Sequence, residues 1–139
     1  FNVRPLEMEG ALGIEQLKRL PNIILERQNN AKLIQEILYN HPDIIIQKEI
    51  GESSWFGFSL IIKPNSKLKR ENLLLKLEKL GFETRPIVAG NFIKNEVVKY
   101  FDYEVHGKLE NASHIDQNGL FIGNHHYPIP DAIKLLKNL

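Results

Sequence analysis

A run of bulky apolar residues in the middle of the sequence constrains the fold most. Residues 54–63 read SWFGFSLIIK and contain the one tryptophan of the chain, Trp55. Because apolar side chains occupy consecutive positions, the run predicts a strand that includes Trp55 and is buried on most of both faces. We therefore expect a central strand. Gly57 within it indicates a bulge or the close approach of another backbone or a ligand, or else a glycine tolerated in a core strand.

Three further segments are expected to join this strand in a sheet. Residues 43–50 are rich in β-branched side chains and lead through a turn at 51–53 into the central run, which predicts antiparallel pairing of the two. Residues 120–123 predict a last buried strand. Residues 82–85 predict an extended segment, and Pro86, which has no backbone N–H to donate, indicates that this segment lies at an edge.

Helical periodicity and end signals predict helices around this sheet. Pro21 separates the first two, Gly81 stops the third, and Asn111 is expected to cap the fourth. Residues 26–30 are polar and are expected to face water. The predicted helices span 5–20, 22–39, 70–80, 111–118 and 130–139. The sequence thus predicts a domain of the α/β (α+β) class, in which helices pack on a sheet of three or four strands.

Small residues lie in the middle of the first predicted helix, at Gly10, Ala11 and Gly13. Two glycines inside a helix cost about 2 kcal/mol of helix propensity. Small side chains also let a second backbone approach closely. We therefore expect this face to contact another helix or another subunit, or to make a tight contact within the chain.

Composition excludes several classes of function. The chain has 139 residues, no cysteine and a net charge of +1. So small a charge does not suit nucleic acid or an anionic membrane as a partner. No apolar run approaches the roughly 20 residues of a membrane helix. The absence of cysteine excludes thiolate metal sites and a cysteine nucleophile, and it favours a reducing compartment, the cytoplasm.

The charged and aromatic side chains give no active site on their own. His125 and His126 are adjacent, and adjacent residues on a strand point to opposite faces, so we expect loop or surface histidines and no metal site. Glu83 and Arg85 lie on one side of the extended segment and are most simply a surface ion pair. Composition and spacing alone therefore show no catalytic constellation.

The opening of the chain resembles the signature of a known enzyme family. Residues 1–20 read FNVRPLEMEGALGIEQLKRL. They contain an aromatic residue before Asn-x-Arg, then Glu-Met, Ala-x-Gly and Gln-Leu. This pattern resembles the DegT/StrS aminotransferase family of pyridoxal-phosphate sugar enzymes. Residues 54–58, SWFGF, and 84–91, TRPIVAGN, resemble one subgroup. Its members are nucleotide-sugar 3-dehydratases, which use pyridoxamine phosphate to remove the C3 hydroxyl of a 4-keto-6-deoxyhexose.

The resemblance implies that the chain has two parts and that the catalytic residue lies outside it. Residues 1–40 are expected to be linking helices that carry a dimer contact and an arm to the cofactor phosphate. Residues 41–139 are expected to be the small C-terminal α/β domain of a fold-type-I pyridoxal-phosphate enzyme. Because the first residue is Phe1, we expect a longer parent protein. The resemblance implies that this parent acts as a homodimer. The residue facing the cofactor's aldehyde carbon is expected elsewhere, so we expect no catalytic residue in this chain and no activity from it alone.

The resemblance also assigns binding residues within the chain. Asn2 is expected to reach the cofactor phosphate of the partner subunit, and Arg4 to lie near the same anionic region. Glu83, Arg85 and Asn91 fall where relatives line the sugar pocket, so they are the expected substrate-binding residues.

Two alternatives remain open from the sequence. The parent is a 3-dehydratase or a nucleotide-sugar 4-keto aminotransferase that takes its amino group from glutamate, and the nucleotide is GDP, CDP, UDP or dTDP. A non-catalytic α/β module that binds a partner or a small ligand is the other class of function that fits a fold of this kind.

Overall fold

A long helix and a four-stranded sheet dominate residues 5–139, the part of the chain that the computed structural model describes. The helices are α1 (Glu7–Leu38), α2 (Arg70–Lys79), α3 (Glu110–Asn118) and α4 (Pro130–Lys134). The strands are β1 (Ile44–Ile46), β2 (Gly57–Ile62), β3 (Thr84–Arg85) and β4 (Gly119–Gly123). Short 3-10 helices span Phe92–Lys94, Glu96–Tyr100 and Leu135–Asn138. The predicted fold class is confirmed.

The sheet is antiparallel throughout and has the strand order β1-β2-β4-β3. As predicted, the apolar run supplies a central strand, and β1 pairs with it antiparallel. The short edge strand β3 ends at Arg85, immediately before Pro86, as the missing proline donor requires. β4 pairs with both β2 and β3, so the beginning of β2, the beginning of β3 and the end of β4 meet at one corner of the sheet.

The strand is shorter than predicted because Trp55 leaves it. Trp55 has a backbone φ of +50°, in the left-handed region, whereas β2 begins only at Gly57. The Trp55 N–H donates to Oγ of Ser53 at 3.0 Å, and its indole N–H donates to the Glu49 carboxylate at 3.1 Å. Its ring stacks on Phe58 with centroids 4.7 Å apart. These bonds replace the ladder bonds of a strand and stabilise a conformation that is costly for a bulky residue.

The predicted break at Pro21 was wrong, because α1 runs through it as one helix. A proline removes a single backbone hydrogen bond and crowds the preceding turn, while the turns on both sides keep their own bonds. The second half of α1 buries Ala31, Ile34 and Leu38 in the core. Within the described chain, every residue of the first half of α1 is exposed to solvent. Core packing of the second half therefore anchors the whole helix.

One hydrophobic cluster covers one face of the sheet. Phe58, Leu60 and Ile62 alternate along β2 and point into it, and each is at most 2% exposed. Helices α1, α2 and α4 close the cluster, whereas α3 contacts β2 and β4 without contributing a buried residue. Within residues 5–139, no helix combines the length and the apolar composition needed to cross a bilayer.

Several predicted helix ends differ in detail. Helix α3 begins at Glu110 after Leu109, which makes no side-chain capping bond, so Asn111 lies inside the helix and is not its cap. The C-terminal helix is α-helical only to Lys134 and continues as a 3-10 helix. Gly81 follows α2 with a φ of +83°, and the predicted glycine stop is confirmed.

The small-residue face of α1 has no neighbour within residues 5–139. A Cβ placed on Gly10 or Gly13 would meet no atom within 4 Å. The tight contact within the chain is therefore absent from the described residues. Contact with another helix or subunit stays a prediction.

We predict that Gly57→Ala lowers the free energy of unfolding by about 2 to 3 kcal/mol, the cost of overpacking a closed site. A Cβ on Gly57 would lie 2.5 Å from the carbonyl oxygen of Ile122 and would also collide with the Phe121 ring. Urea unfolding followed by Trp55 fluorescence measures the loss. The control is Gly123→Ala, because Gly123 is the register partner of Gly57 and its Cβ would meet no atom within 4 Å. Equal losses in both variants would contradict the prediction.

His41 makes stability depend on pH. Its Nδ1 accepts a hydrogen bond from the Asp43 N–H at 3.1 Å, which requires a deprotonated nitrogen. Burial lowers the pKa of His41 below 6.5, although the nearby Asp43 carboxylate partly opposes this. The unfolded chain therefore binds the proton more readily than the folded chain. The stability due to His41 is fully present above pH 6.5 and is lost as the pH falls from there towards the lower folded pKa.

We predict that the free energy of unfolding falls between about pH 7.5 and about pH 5.5, and that His41→Asn reduces this fall. The asparagine carbonyl can still accept from Asp43, but it does not titrate. Urea unfolding at both pH values measures the slope. His106→Asn, at an exposed loop position, is the control and keeps the wild-type slope. A slope unchanged in His41→Asn would refute the assignment.

Candidate functional site

A cavity of about 480 Å³ opens at the corner where β2 and β3 begin and β4 ends. The strand register explains why its residues meet, since Gly57 is opposite Gly123 and Arg85 is opposite Phe121. The side chains that give it chemical character are Phe56, Glu83, Arg85, Phe121, Asn124 and His125. The cavity thus combines a carboxylate, a guanidinium, an amide, an imidazole and two aromatic rings.

Glu83 and Arg85 face this cavity together, as the alternation of the extended segment predicted. Both side chains are exposed, and the ion pairs found within residues 5–139 do not include one between them. The expectation of a surface ion pair was therefore wrong. Each group keeps its hydrogen-bonding capacity for a ligand: Glu83 accepts, and Arg85 donates in a planar fork.

An aromatic wall faces these two charges. Phe56 is 70% exposed, and its ring stacks with the Phe121 ring at a centroid distance of 6.1 Å. The guanidinium of Arg27, from α1, lies 5.5 Å from the centre of the Phe56 ring. An exposed aromatic surface beside a carboxylate and a guanidinium suits a ligand with both apolar and polar faces, such as a sugar.

Two buried amides fix the walls of the cavity. The Asn124 side chain donates to the carbonyl oxygens of Arg27 and Trp55, both at 2.9 Å. Its backbone N–H donates to the carbonyl oxygen of Phe56 at 3.2 Å. Asn124 thereby ties the end of β4 to α1 and to the left-handed turn at Trp55. Its Oδ1 is buried and has no hydrogen-bond partner among the described residues.

Asn30 makes the second of these ties. Its side chain donates to the carbonyl oxygens of His125, at 3.2 Å, and Tyr127, at 2.8 Å, and accepts from the Ile129 N–H at 3.2 Å. It is 2% exposed, so the predicted solvent exposure of 26–30 was wrong at this position. An amide in a helix satisfies three backbone groups of an irregular loop, and this holds the loop in one conformation.

Asn91 lies apart from this cavity. Its side chain is buried and donates to Oγ of Ser113 at 3.1 Å. It borders a second, open cavity of about 640 Å³ along α3. A hydrogen bond from Lys94 at 2.8 Å, and another from the Asn91 N–H, lower the pKa of the Asp116 carboxyl. The turn before Asn91 is thereby fastened to α3, and the substrate role of Asn91 stays a prediction.

The expected cofactor residues, Asn2 and Arg4, lie outside the described residues. Within residues 5–139 no group of three or more His, Cys, Asp and Glu side chains is arranged to hold a metal ion. His114 lies in α3, where its Nε2 is 2.8 Å from the carbonyl oxygen of Ile62. His125, by contrast, lines the cavity.

The sequence interpretation missed Asn30, Asn124 and His125. The sequence contained a signal for Asn124 and His125, because polar residues that directly follow a buried strand lie at the end of the sheet where that strand ends. The alternation of adjacent residues between opposite faces of a strand argues against a metal site shared by His125 and His126. It also implied that one of the two faces the same side as the site. Asn30 carried no such signal, since its partners are backbone groups about 100 positions away along the chain.

Comparison with known proteins identifies the family. Residues 1–134 match the DegT/DnrJ/EryC1/StrS aminotransferase family. The chain belongs to this family. It is 54% identical over 140 residues to a GDP-4-keto-6-deoxy-D-mannose 3-dehydratase from Yersinia pseudotuberculosis, a match that covers 100% of this chain and 36% of the relative. The chain therefore spans about a third of the length of the curated relative.

Solved structures agree with this assignment. The structure of Escherichia coli GDP-4-keto-6-deoxy-D-mannose-3-dehydratase with bound hydrated PLP is 52% identical, with a TM-score of 0.95. The match covers 99% of this chain and 36% of that one. A structure of GDP-4-keto-6-deoxymannose-3-dehydratase with bound GDP-perosamine matches equally well. Sugar aminotransferases align at 15% to 18% identity, which shows the fold alone. The likeness to a domain of PLP enzymes is thus confirmed.

We predict that Asn124→Asp lowers the free energy of unfolding by on the order of 3 kcal/mol at neutral pH, because it buries a carboxylate against two carbonyl oxygens. Loss of the bond to the Trp55 carbonyl is also expected to shift Trp55 emission to longer wavelength. Urea unfolding and the emission maximum measure the two effects. Asn29→Asp, at an exposed position of α1, is the matched control. Wild-type stability and emission in Asn124→Asp would show that the amide bonds are unimportant.

Proposed function

We propose that this chain forms part of a pyridoxal/pyridoxamine-phosphate enzyme that removes the C3 hydroxyl of a GDP-linked 4-keto-6-deoxyhexose. The observation that carries the proposal is the identity of 52% to 54% over essentially the whole chain with GDP-4-keto-6-deoxymannose 3-dehydratases. The cavity supports it, because its lining is suited to a sugar. Sugar aminotransferases share the fold at much lower identity, so amino transfer is the less favoured reaction.

We propose that Glu83 and Arg85 bind the sugar part of the substrate. Glu83 accepts hydrogen bonds from sugar hydroxyls, and Arg85 donates to a carbonyl or hydroxyl oxygen. Phe56 and Phe121 cover the apolar face of the ring, and their wall excludes water from that side. Asn91 remains the third proposed substrate-binding residue, and its bond to Ser113 fixes the turn that follows Arg85.

The described residues suit a substrate better than a cofactor. No lysine lines the cavity, and the carboxylate of Glu83 offsets the charge of Arg85, so these two groups give no net positive charge to favour a phosphate dianion. We therefore keep Asn2 and Arg4 as the proposed ligands of the cofactor phosphate, in a site shared with a partner subunit. The chemistry that pyridoxamine phosphate supplies when bound is stabilisation of a carbanion during loss of the hydroxyl.

We further propose a homodimer and a cytoplasmic location. Apolar residues on the first half of α1, among them Met8, Leu12 and Leu17, are 66% to 72% exposed within the described chain. Exposed apolar residues beside Gly10 and Gly13 support packing of this half against further protein. The absence of cysteine supports a reducing compartment.

We predict that this chain restores activity when it replaces the matching 140 residues of the Escherichia coli dehydratase. The expected product from GDP-4-keto-6-deoxymannose lacks the C3 hydroxyl, and mass spectrometry of the nucleotide sugar detects it. Within this chimera, Glu83→Gln is expected to raise KM about tenfold, the effect of weakening one charged hydrogen bond. Glu71→Gln, on the exposed side of α2, is the matched control with unchanged KM.

Three results would count against the proposal. A folded, PLP-binding chimera without turnover would refute the function. A product with an amino group at C4 would assign amino transfer instead. An active chimera in which Glu83→Gln behaves like Glu71→Gln would refute only the proposed role of Glu83.

A further inference from the structure

His125 follows the end of β4 by two residues and is among the residues that line the same cavity as Glu83 and Arg85. Neither the family resemblance nor the strand pattern assigns it a role. Its neighbour His126 is also exposed but is not part of the cavity lining. The two histidines therefore differ in position although they are adjacent in sequence.

The backbone of His125 is fixed from two sides. Its carbonyl oxygen accepts a hydrogen bond from the Asn30 side chain at 3.2 Å. The preceding residue, Asn124, is held by its bonds to Arg27, Trp55 and Phe56. An exposed loop position rarely has this many bonds to buried groups, because loops at the surface are usually mobile. Here they restrict where the imidazole can go.

The ring of His125 is restricted as well. It packs against the Tyr127 ring with centroids 4.7 Å apart and planes inclined by 30°. The ring of His126 meets the edge of the same tyrosine at 5.3 Å. Tyr127 thus contacts both imidazoles, and its own carbonyl oxygen accepts a hydrogen bond from Asn30. Positions of this kind lose little side-chain entropy when a ligand binds.

The groups around the cavity decide what an imidazole there binds. A neutral imidazole offers one donor and one acceptor, the same pair that a sugar hydroxyl offers in return. Glu83 supplies acceptors and Arg85 supplies donors, so the three side chains together match a ligand with several hydroxyl or keto oxygens. Since the carboxylate of Glu83 offsets the charge of Arg85, these groups give no net positive charge to favour a diphosphate, and the sugar is the favoured occupant.

We propose that His125 binds a hydroxyl of the sugar part of the nucleotide sugar, next to Glu83 and Arg85. This rests on the proposed function, because it takes a nucleotide-linked sugar as the ligand. His125 is a binding residue that selects the sugar, and Asn30 and Asn124 position it through the backbone. The pair His125 and His126 then separates into one ligand-binding and one surface residue.

The test uses His125→Phe and His126→Phe in the active chimera described above. Phenylalanine keeps a planar ring against Tyr127 and removes both ring nitrogens. We expect His125→Phe to raise KM for GDP-4-keto-6-deoxymannose about tenfold, with kcat changed much less, because one hydrogen bond to the ligand is lost. GDP-mannose and GDP serve as inhibitor probes, and only the inhibition constant of GDP-mannose is expected to rise. His126→Phe is expected to leave all four constants at wild-type values.

The outcomes separate the possibilities. Equal constants for the two variants would overturn the proposal, as would equal weakening of GDP and GDP-mannose in His125→Phe, which would move the contact to the nucleotide. If His125→Phe folds poorly, as shown by a lower midpoint of urea unfolding, His125→Gln replaces it. Its amide restores a donor and an acceptor and is expected to keep KM closer to wild type. A folded, PLP-binding chimera without turnover would instead refute the proposed function.

Discussion

The close pairing of β2 with β4 is the constraint on which the rest of the structure depends. Gly57 leaves no room for a side chain, because the carbonyl of Ile122 and the ring of Phe121 occupy the space. This approach brings the end of β4 beside the beginning of β2, so the residues before Gly57 and after Gly123 share one corner. The cavity is the space that remains at this corner. Because Gly57 has no side chain, β2 and β4 approach closely, and this approach brings the side chains of the site together.

Two amides then convert a corner of a sheet into a fixed site. Asn30 and Asn124 bind backbone groups of three separate segments: α1, the turn at Trp55 and the loop that follows β4. Buried hydrogen bonds of this kind contribute modestly when they are made, but they are costly to break. They therefore specify one arrangement of loops that carry few apolar contacts of their own. Arg85 in β3, Glu83 just before it and the imidazole after β4 are thereby positioned relative to one another.

The sequence was informative where a pattern is local. The apolar run, the β-branched segment before it and the Leu-rich helix ending at Gly81 were all predictable, because burial periodicity and glycine stops act over a few residues. The facing of Glu83 and Arg85 followed from strand alternation alone. The break at Pro21 was mispredicted because the turns on both sides of the proline keep their own hydrogen bonds, and the strand at Trp55 because side-chain bonds overrode the strand preference. Asn30 was not predictable, since its partners come from the other end of the chain.

The length of α1 gives this arrangement a mechanical side. At about 1.5 Å per residue, its 32 residues extend for about 48 Å, and only its second half is embedded in the core. The carbonyl of Arg27 and the amide of Asn30 sit on this same rod, and both hold walls of the cavity. A protein surface that binds the exposed first half of α1 would therefore fix the turn at Trp55 and the loop at His125 in position relative to that surface. A partner bound to the exposed turns of α1 would also determine where the cavity lies relative to that partner.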